Sequence, residues 1–307
     1  MKYSPLFWPI ELKGNAICIL DETKLPQSLT YIKAINYRQA CKAIKEMKTR
    51  AVGQVLLVMY TFLLESRKRN TPLSKVAEAI NATRPTLSFK FLTDMVLGWG
   101  KSGAPLEDSI KGFLGALKEA RIRQAKEASH LLEDGDAVLT HCNVSGLLPL
   151  IAEFCRRDKK RISFFVTETR PYLQGTRLTA WELNRAKINN TIIADNMVAQ
   201  VMFERKIKKV IVGADNLAQN GDIANKIGTY QIALLARDFN IPFFVLCPPP
   251  SGAETGYDIE IEVRPPKELL EFRGRSLAPT GAKAYYPAFD ITPHELITRH
   301  INLNIVR

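Results

Sequence analysis

No Cys-x-x-Cys pair occurs in this 307-residue chain, and its five cysteines, Cys18, Cys41, Cys142, Cys155 and Cys247, are scattered with no histidine at metal-ligand spacing. That pattern excludes a disulfide framework and a zinc site of ordinary spacing, and it predicts a reduced, cytoplasmic setting. Long apolar runs are missing too. The stretch Val55–Leu64 is too short to span a bilayer, and the opening MKYSPLFWPIELKGNA interrupts with prolines and a glutamate the apolar core a secretory signal needs. No membrane partner is expected. No Gly-x-Gly-x-x-Gly follows a strand pattern, and GWGKSG at Gly98–Gly103 lacks both the earlier glycine and the preceding strand of a phosphate-binding P-loop. A nucleotide cofactor is therefore not expected. Acidic residues are scarce relative to basic ones, 31 against 43, for a net charge of +12. A positive surface attracts polyanions or phosphorylated metabolites, but no zinc-finger, basic-helix or RNA-binding signature accompanies the charge, so nucleic acid is the less expected partner.

What the chain does contain changes character near its middle. After an extended, alternating opening at NAICILDETKLP, helical spacing takes over: Tyr37, Cys41, Ile44 and Met47 form one face, and Leu73, Val76, Ala77 and Ile80 another, behind the start signal Thr71-Pro72. A longer helix is predicted from about Pro105 to Leu132. From Asp136 onward, short apolar runs alternate with helical patterns: AVLTHC, ISFFVTE, TIIADN, KVIVGAD and PFFVLCP. That alternation is the signature of a parallel sheet with crossover helices. The fold class is α/β: a Rossmann-like parallel sheet domain over residues 126–307, preceded by a smaller, mainly helical domain with a short β ribbon over residues 1–125.

In an open α/β sheet, ligands bind beyond the carboxyl ends of the strands. Here those ends carry Thr140-His141-Cys142-Asn143, Thr167-Glu168-Thr169-Arg170, Asp195-Asn196, Asp215-Asn216 and Cys247. Each has an ordinary explanation: a cysteine there is commonly a small buried hydrophobe, and Asp or Asn commonly caps a helix. His141 need not touch Cys142, because neighbours on a strand face opposite ways. Further on, Ile227, Tyr230, Leu234 and Leu235 run at helical spacing, which predicts Asn225-Lys226 in a helix's first turn, where free amides and an ammonium would receive a phosphate.

The segments THCN, ETRPYLQGTRLTAWEL, ADNM, GADNLAQNGDIANKIGTYQIALLA, IPFFV and YYPAFDITPHELIT, taken in order, resemble the methylthioribose-1-phosphate isomerases. That superfamily also holds ribose-1,5-bisphosphate isomerases and the regulatory subunits of a eukaryotic translation-initiation exchange factor. The resemblance implies a homodimeric aldose–ketose isomerase of a small-molecule sugar phosphate, 5-methylthioribose 1-phosphate, in methionine salvage, with no cofactor and no metal. By the same resemblance, Cys142 and Asp215 match the catalytic pair, and Arg50, Arg84, Gln174, Asn225 and Lys226 match substrate contacts. An isomerase of ribose 1,5-bisphosphate or of 5-deoxyribose 1-phosphate, and a non-catalytic regulatory subunit, remain the alternatives. The chain departs from the pattern at Arg50–Leu56, RAVGQVL where the isomerases read Arg-Gly-Ala-Pro-Ala-Ile-Gly, and at HCNVS for HCNAG.

Overall fold

The computed structural model describes residues 3–68, 70–83, 89–272 and 274–305. The chain divides into two compact units, the first running to Ile122 and the second from Arg123 to Asn304. In the first unit, β1 (Ile10–Lys13), β2 (Ala16–Leu20) and β3 (Tyr31–Ala34) form an antiparallel meander in the order β1-β2-β3. Ile10, Ile17 and Ile19 bury one face of it. Helix α1 (Tyr37–Lys45) is capped by Asn36, whose side chain accepts from the Gln39 amide. Helix α2 (Val52–Lys68) is buried on nearly every side and forms the unit's core, as its almost unbroken apolar sequence requires. Helix α3 (Leu73–Asn81) buries Val76, Ala77 and Ile80; it starts one residue later than Thr71-Pro72 signalled, with Pro72 itself in the cap position. Helix α4 (Lys90–Lys101) ends inside GWGKSG, which is thus no phosphate loop. The unit boundary falls within the long helix α5 (Leu106–His130), which has Glu107 and Asp108 in its first turn, where the helix dipole favours negative charge.

The second unit alternates strand and helix: β4 (Ala137–Thr140), α6 (Leu147–Arg157), β5 (Ser163–Thr167), α7 (Ala180–Arg185), β6 (Asn190–Ile193), α8 (Val198–Phe203) and β7 (Lys209–Gly213). Two short strands, β8 (Asn216–Leu217) and β9 (Ile223–Lys226), precede α9 (Thr229–Asp238) and β10 (Phe243–Cys247). The chain closes with α10 (Lys267–Leu270), the small hairpin β11 (Glu271–Phe272) and β12 (Arg275–Ser276), then β13 (Phe289–Thr292) and β14 (Arg299–Asn302). All five predicted runs are strands of one parallel sheet in the order β14-β10-β7-β4-β5-β6. Renumbered along the chain, that is the 3-2-1-4-5-6 order of a dinucleotide-fold sheet. Central strands read as continuous apolar runs because helices cover both faces: Val210, Ile211, Val212, Phe243 and Val245 are buried. A separate antiparallel sheet, β13-β9-β8, lies beyond the end of β7. Among the described residues no helix is long and apolar enough to cross a membrane.

Candidate active site

The sheet reverses its strand order between β4 and β7, and such a reversal opens a crevice at the carboxyl edge. Cys142 follows β4 and Asp215 follows β7. The register Leu139↔Val210, carried forward, sets the Cys142 loop beside the end of β7. There the loop crosses closely over Gly213, where a Cβ would come within 2.9 Å of Val144 Cγ1. Cys142 is half-buried and Asp215 is exposed. β7 stops at Gly213, so Asp215 stands in the loop beyond the sheet's rim. The Asp215 amide donates to the Ala224 carbonyl of β9 at 2.9 Å, which holds that loop against the small sheet.

The Cys142 loop is held by hydrogen bonds from several directions. Cys142 has a left-handed backbone, φ 64°, as do Ser145, Thr169 and Leu173 nearby in sequence or across the strand ends. Its amide donates to Thr169 Oγ1 at 2.9 Å, and its carbonyl accepts from Thr179 Oγ1 at 2.6 Å. Asn143 Nδ2 donates to Thr179 Oγ1 at 3.0 Å and to the buried Glu182 carboxylate at 2.9 Å. Asp195, which the sequence left as a possible cap, accepts from the Thr169 and Arg170 amides at 2.7 Å each and so fixes the loop after β5. His141 is buried, with Nδ1 2.6 Å from Thr167 Oγ1 and Nε2 2.9 Å from the Ile227 carbonyl oxygen. Desolvation, the largest cause, pulls its imidazole below the ordinary value. Glu168 and Arg170 are electrostatic neighbours: burial and then Asp195 push the Glu168 carboxyl up, and Arg170 partly offsets them.

Asn225 and Lys226 do not lie in a helical turn. They end β9, and α9 begins only at Thr229, because Gly228 with φ +102° breaks the helical path between them. Nor are the first amides of α9 free for a phosphate: Asp290 of β13 accepts from Gly228 at 2.7 Å and from Tyr230 at 3.1 Å, so the helix end already holds an anion. Lys226 Nζ donates to the Ala288 carbonyl at 2.9 Å and lies 4.3 Å from the Phe289 ring centroid. Asn225 Nδ2 donates to Thr229 Oγ1 at 2.9 Å. The next residue, Ile227, is the one His141 binds, so β9 meets the Cys142 and Asp215 loops at one rim. Gln174 is buried at the cap of the π-helical turn Gly175–Thr179 that leads into α7. Arg50 is in the first unit, where its Nε donates to Glu22 at 3.3 Å. Arg84 lies outside the described residues.

The model of the initiation factor 2 subunit family matches residues 28–302. The chain belongs to that family. Within it, the chain is 37% identical to the methylthioribose-1-phosphate isomerase of Desulforudis audaxviator, over 97% of this chain and 92% of the relative. The isomerase of Thermosipho melanesiensis is 38% identical over 94% and 91% of the two chains. Among solved structures, the 5-methylthioribose 1-phosphate isomerase of Pyrococcus horikoshii superposes with a TM-score of 0.83 at 29% identity, covering 96% of this chain and 91% of that one. The delta subunit of translation initiation factor eIF-2B from A. fulgidus superposes with 0.84 at 34% identity, covering 97% and 94%.

This member of the initiation factor 2 subunit family lines the rim with residues whose roles the sequence does not give. Thr167 and Thr169 are legible only as strand-end residues and Thr179 carries no pattern, since their roles depend on strands distant in the chain. Tyr286 and Asp290 fall within YYPAFDITP, so their segment, though not their roles, was visible. Burial first, then Glu268, raises the Tyr286 hydroxyl to about 12, with Arg264 partly opposing and a smaller push from Cys142. Asp222, His294 and Glu295 bring ligand atoms within 4.8 Å of one another, yet the Asp222 oxygens already accept from Asn220, Gly256 and His294. Burial raises that carboxyl, but these hydrogen bonds outweigh it and hold it at about 2. It ties loops together and leaves little for a metal.

Asp290 gives a pH prediction. Burial raises its carboxyl to about 6 despite two backbone donors. An acid whose folded value lies above its unfolded one supports the fold most when protonated, and that support is lost as pH rises from about 4 to about 6, at most ~3 kcal/mol. Denaturant titrations across that window should show wild-type stability falling relative to Asp290→Asn; parallel curves would refute the assignment.

Proposed function

We propose that this chain is an aldose–ketose isomerase that converts 5-methylthioribose 1-phosphate to 5-methylthioribulose 1-phosphate. The observation that supports this reading is the placement of Cys142 and Asp215 just after the two strands that flank the sheet's reversal point, beside the strand bearing Asn225 and Lys226. The near-full-length likeness to named isomerases supplies the substrate.

Carbon 1 of a sugar 1-phosphate is locked in a cyclic acetal. Asp215, protonated, donates to the ring oxygen as the bond from carbon 1 to that oxygen breaks. Hydrogen then passes from carbon 2 to carbon 1, and the carbon-2 hydroxyl, having lost its proton, becomes the ketone. Cys142 serves one of two ways: its thiolate removes the carbon-2 hydrogen as a proton that is returned to carbon 1, or it takes the hydroxyl proton while a hydride shifts directly. Asn225 and Lys226, with Gln174, hold the phosphate end, whose binding energy orients the sugar. With Asp215 exposed, the bound sugar itself covers the carboxyl and raises its affinity for the proton. The same reading includes a cytoplasmic homodimer, which light scattering on the purified protein tests.

The likeness to the archaeal delta subunit, 34% identical with a TM-score of 0.84, favours a second reading as a non-catalytic regulatory subunit. One assay separates the two. Purified protein is mixed with 5-methylthioribose 1-phosphate, ribose 1,5-bisphosphate or 5-deoxyribose 1-phosphate, and the ketose is followed by NMR in deuterated water. Turnover of the first substrate is expected, and deuterium at carbon 1 reports proton removal rather than hydride shift. No turnover of any of the three leaves the regulatory reading standing.

A further inference from the structure

Five groups near the thiol form a hydrogen-bonded chain. The Ile227 carbonyl can only accept, so His141 Nε2 carries the hydrogen and donates to it at 2.9 Å. Burial disfavours the imidazolium, which leaves Nδ1 as the acceptor for the Thr167 hydroxyl at 2.6 Å. Having spent its hydrogen there, Thr167 offers Oγ1 and its carbonyl as acceptors to the Thr169 hydroxyl, at 3.4 and 3.3 Å. Thr169 Oγ1 in turn accepts from the Cys142 amide at 2.9 Å. Donation thus runs one way, from Cys142 through Thr169, Thr167 and His141 to Ile227. Thr167, Thr169 and His141 are each at most 2% exposed, so water does not compete for these bonds.

The two ends of the chain are the places where the reaction is held. One is the backbone of Cys142, whose left-handed φ of 64° is a conformation that a non-glycine residue keeps only when its surroundings enforce it. The other is Ile227, the residue directly after β9. The ring also lies close to the backbone there, since a Cβ at Gly228 would meet His141 Cε1 at 3.3 Å and Nε2 at 3.4 Å.

We propose that His141 is a positioning residue: through Thr167 and Thr169 on one side and Ile227 on the other, it fixes the Cys142 loop relative to the strand that carries Asn225 and Lys226. The proposal rests on the isomerase reading for the identity of the reaction, though not for the geometry. His141 does not touch the sugar; it sets where the thiol stands.

Thr167→Val removes the hydroxyl at nearly constant volume, and Thr167→Ser restores it; His141→Asn shortens the link to Ile227. Two readouts are taken. In steady-state kinetics on 5-methylthioribose 1-phosphate, Thr167→Val and His141→Asn are expected to lower kcat about 100-fold with KM little changed, the signature of a misplaced group rather than of lost binding. Thr167→Ser recovers most of that turnover. In alkylation by iodoacetamide, read at Cys142 by peptide mass spectrometry, Thr167→Val labels roughly fivefold faster than wild type and Thr167→Ser does not, as the loss of one hydrogen bond shifts local opening. Wild-type protein without turnover sinks the isomerase reading alone, and the labelling comparison still decides this one. If Thr167→Val labels like wild type, or if Thr167→Ser labels like Thr167→Val, the positioning role is overturned. Should His141→Asn fail to fold, the threonine pair carries the test.

Discussion

Asp215→Asn is expected to lower kcat about 10²- to 10⁴-fold, the contribution of a general acid, while thermal stability and circular dichroism stay at wild-type values. The carboxyl is exposed at the rim of the crevice, and its residue is anchored by the backbone bond to Ala224, so an amide of the same shape costs the fold little. What the amide lacks is a proton to give to the ring oxygen. Cys142→Ala should fall in the same range. Because ring opening and hydrogen transfer are successive parts of one conversion, the double variant should be scarcely worse than the poorer single one. The measurement is NMR turnover of each purified variant. A residual rate within tenfold of wild type for Asp215→Asn removes it from the acid's role.

Gly175→Ala should destabilise the protein by about 1–3 kcal/mol or more and depress turnover about 100-fold in whatever fraction remains folded. A Cβ at this buried position would overlap the Thr167 carbonyl oxygen and come within 3.0 Å of Thr169 Oγ1. Neither atom can retreat easily. Thr167 ends β5 inside the sheet, and Thr169 is held by Asp195 from behind while it accepts from Cys142 in front. Added volume therefore acts on the same atoms that set the thiol's place. Chemical denaturation with kinetics on the surviving native protein checks both effects. A variant as stable and as fast as wild type would show that the loop after β5 is softer than these contacts imply.

The parallel sheet was legible because burial on both faces leaves apolar runs with polar ends, and those ends carried Cys142 and Asp215. The edge strand β14 was not, since Arg299 and Asn302 are exposed and the segment RHIN lacks an apolar run. A helix does follow Ile227, but the face expected from Ile227, Tyr230, Leu234 and Leu235 is not its buried one: Ile232, Ala233 and Ala236 are buried and Tyr230 is exposed, while a positive φ at Gly228 starts the helix after Ile227 and leaves Asn225 and Lys226 to a strand. Its near partner, β8, is only two residues long and carries no alternation, and its longer partner, β13, arrives more than sixty residues later. The anion at the α9 terminus was likewise hidden, because Asp290 reaches it only through that pairing. Thr167 and Thr169 read as ordinary strand-end residues, since a hydroxyl's partner is decided in space.

Cys142, Ser145, Thr169 and Leu173 all hold left-handed backbones, where a side chain costs on the order of 1 kcal/mol that glycine avoids. Selection for heat resistance alone would tend to drift these sites toward glycine, and at Cys142 the hardier descendant would have lost its sulfur. The crevice is thus a place where durability and chemistry pull the same codon in opposite directions.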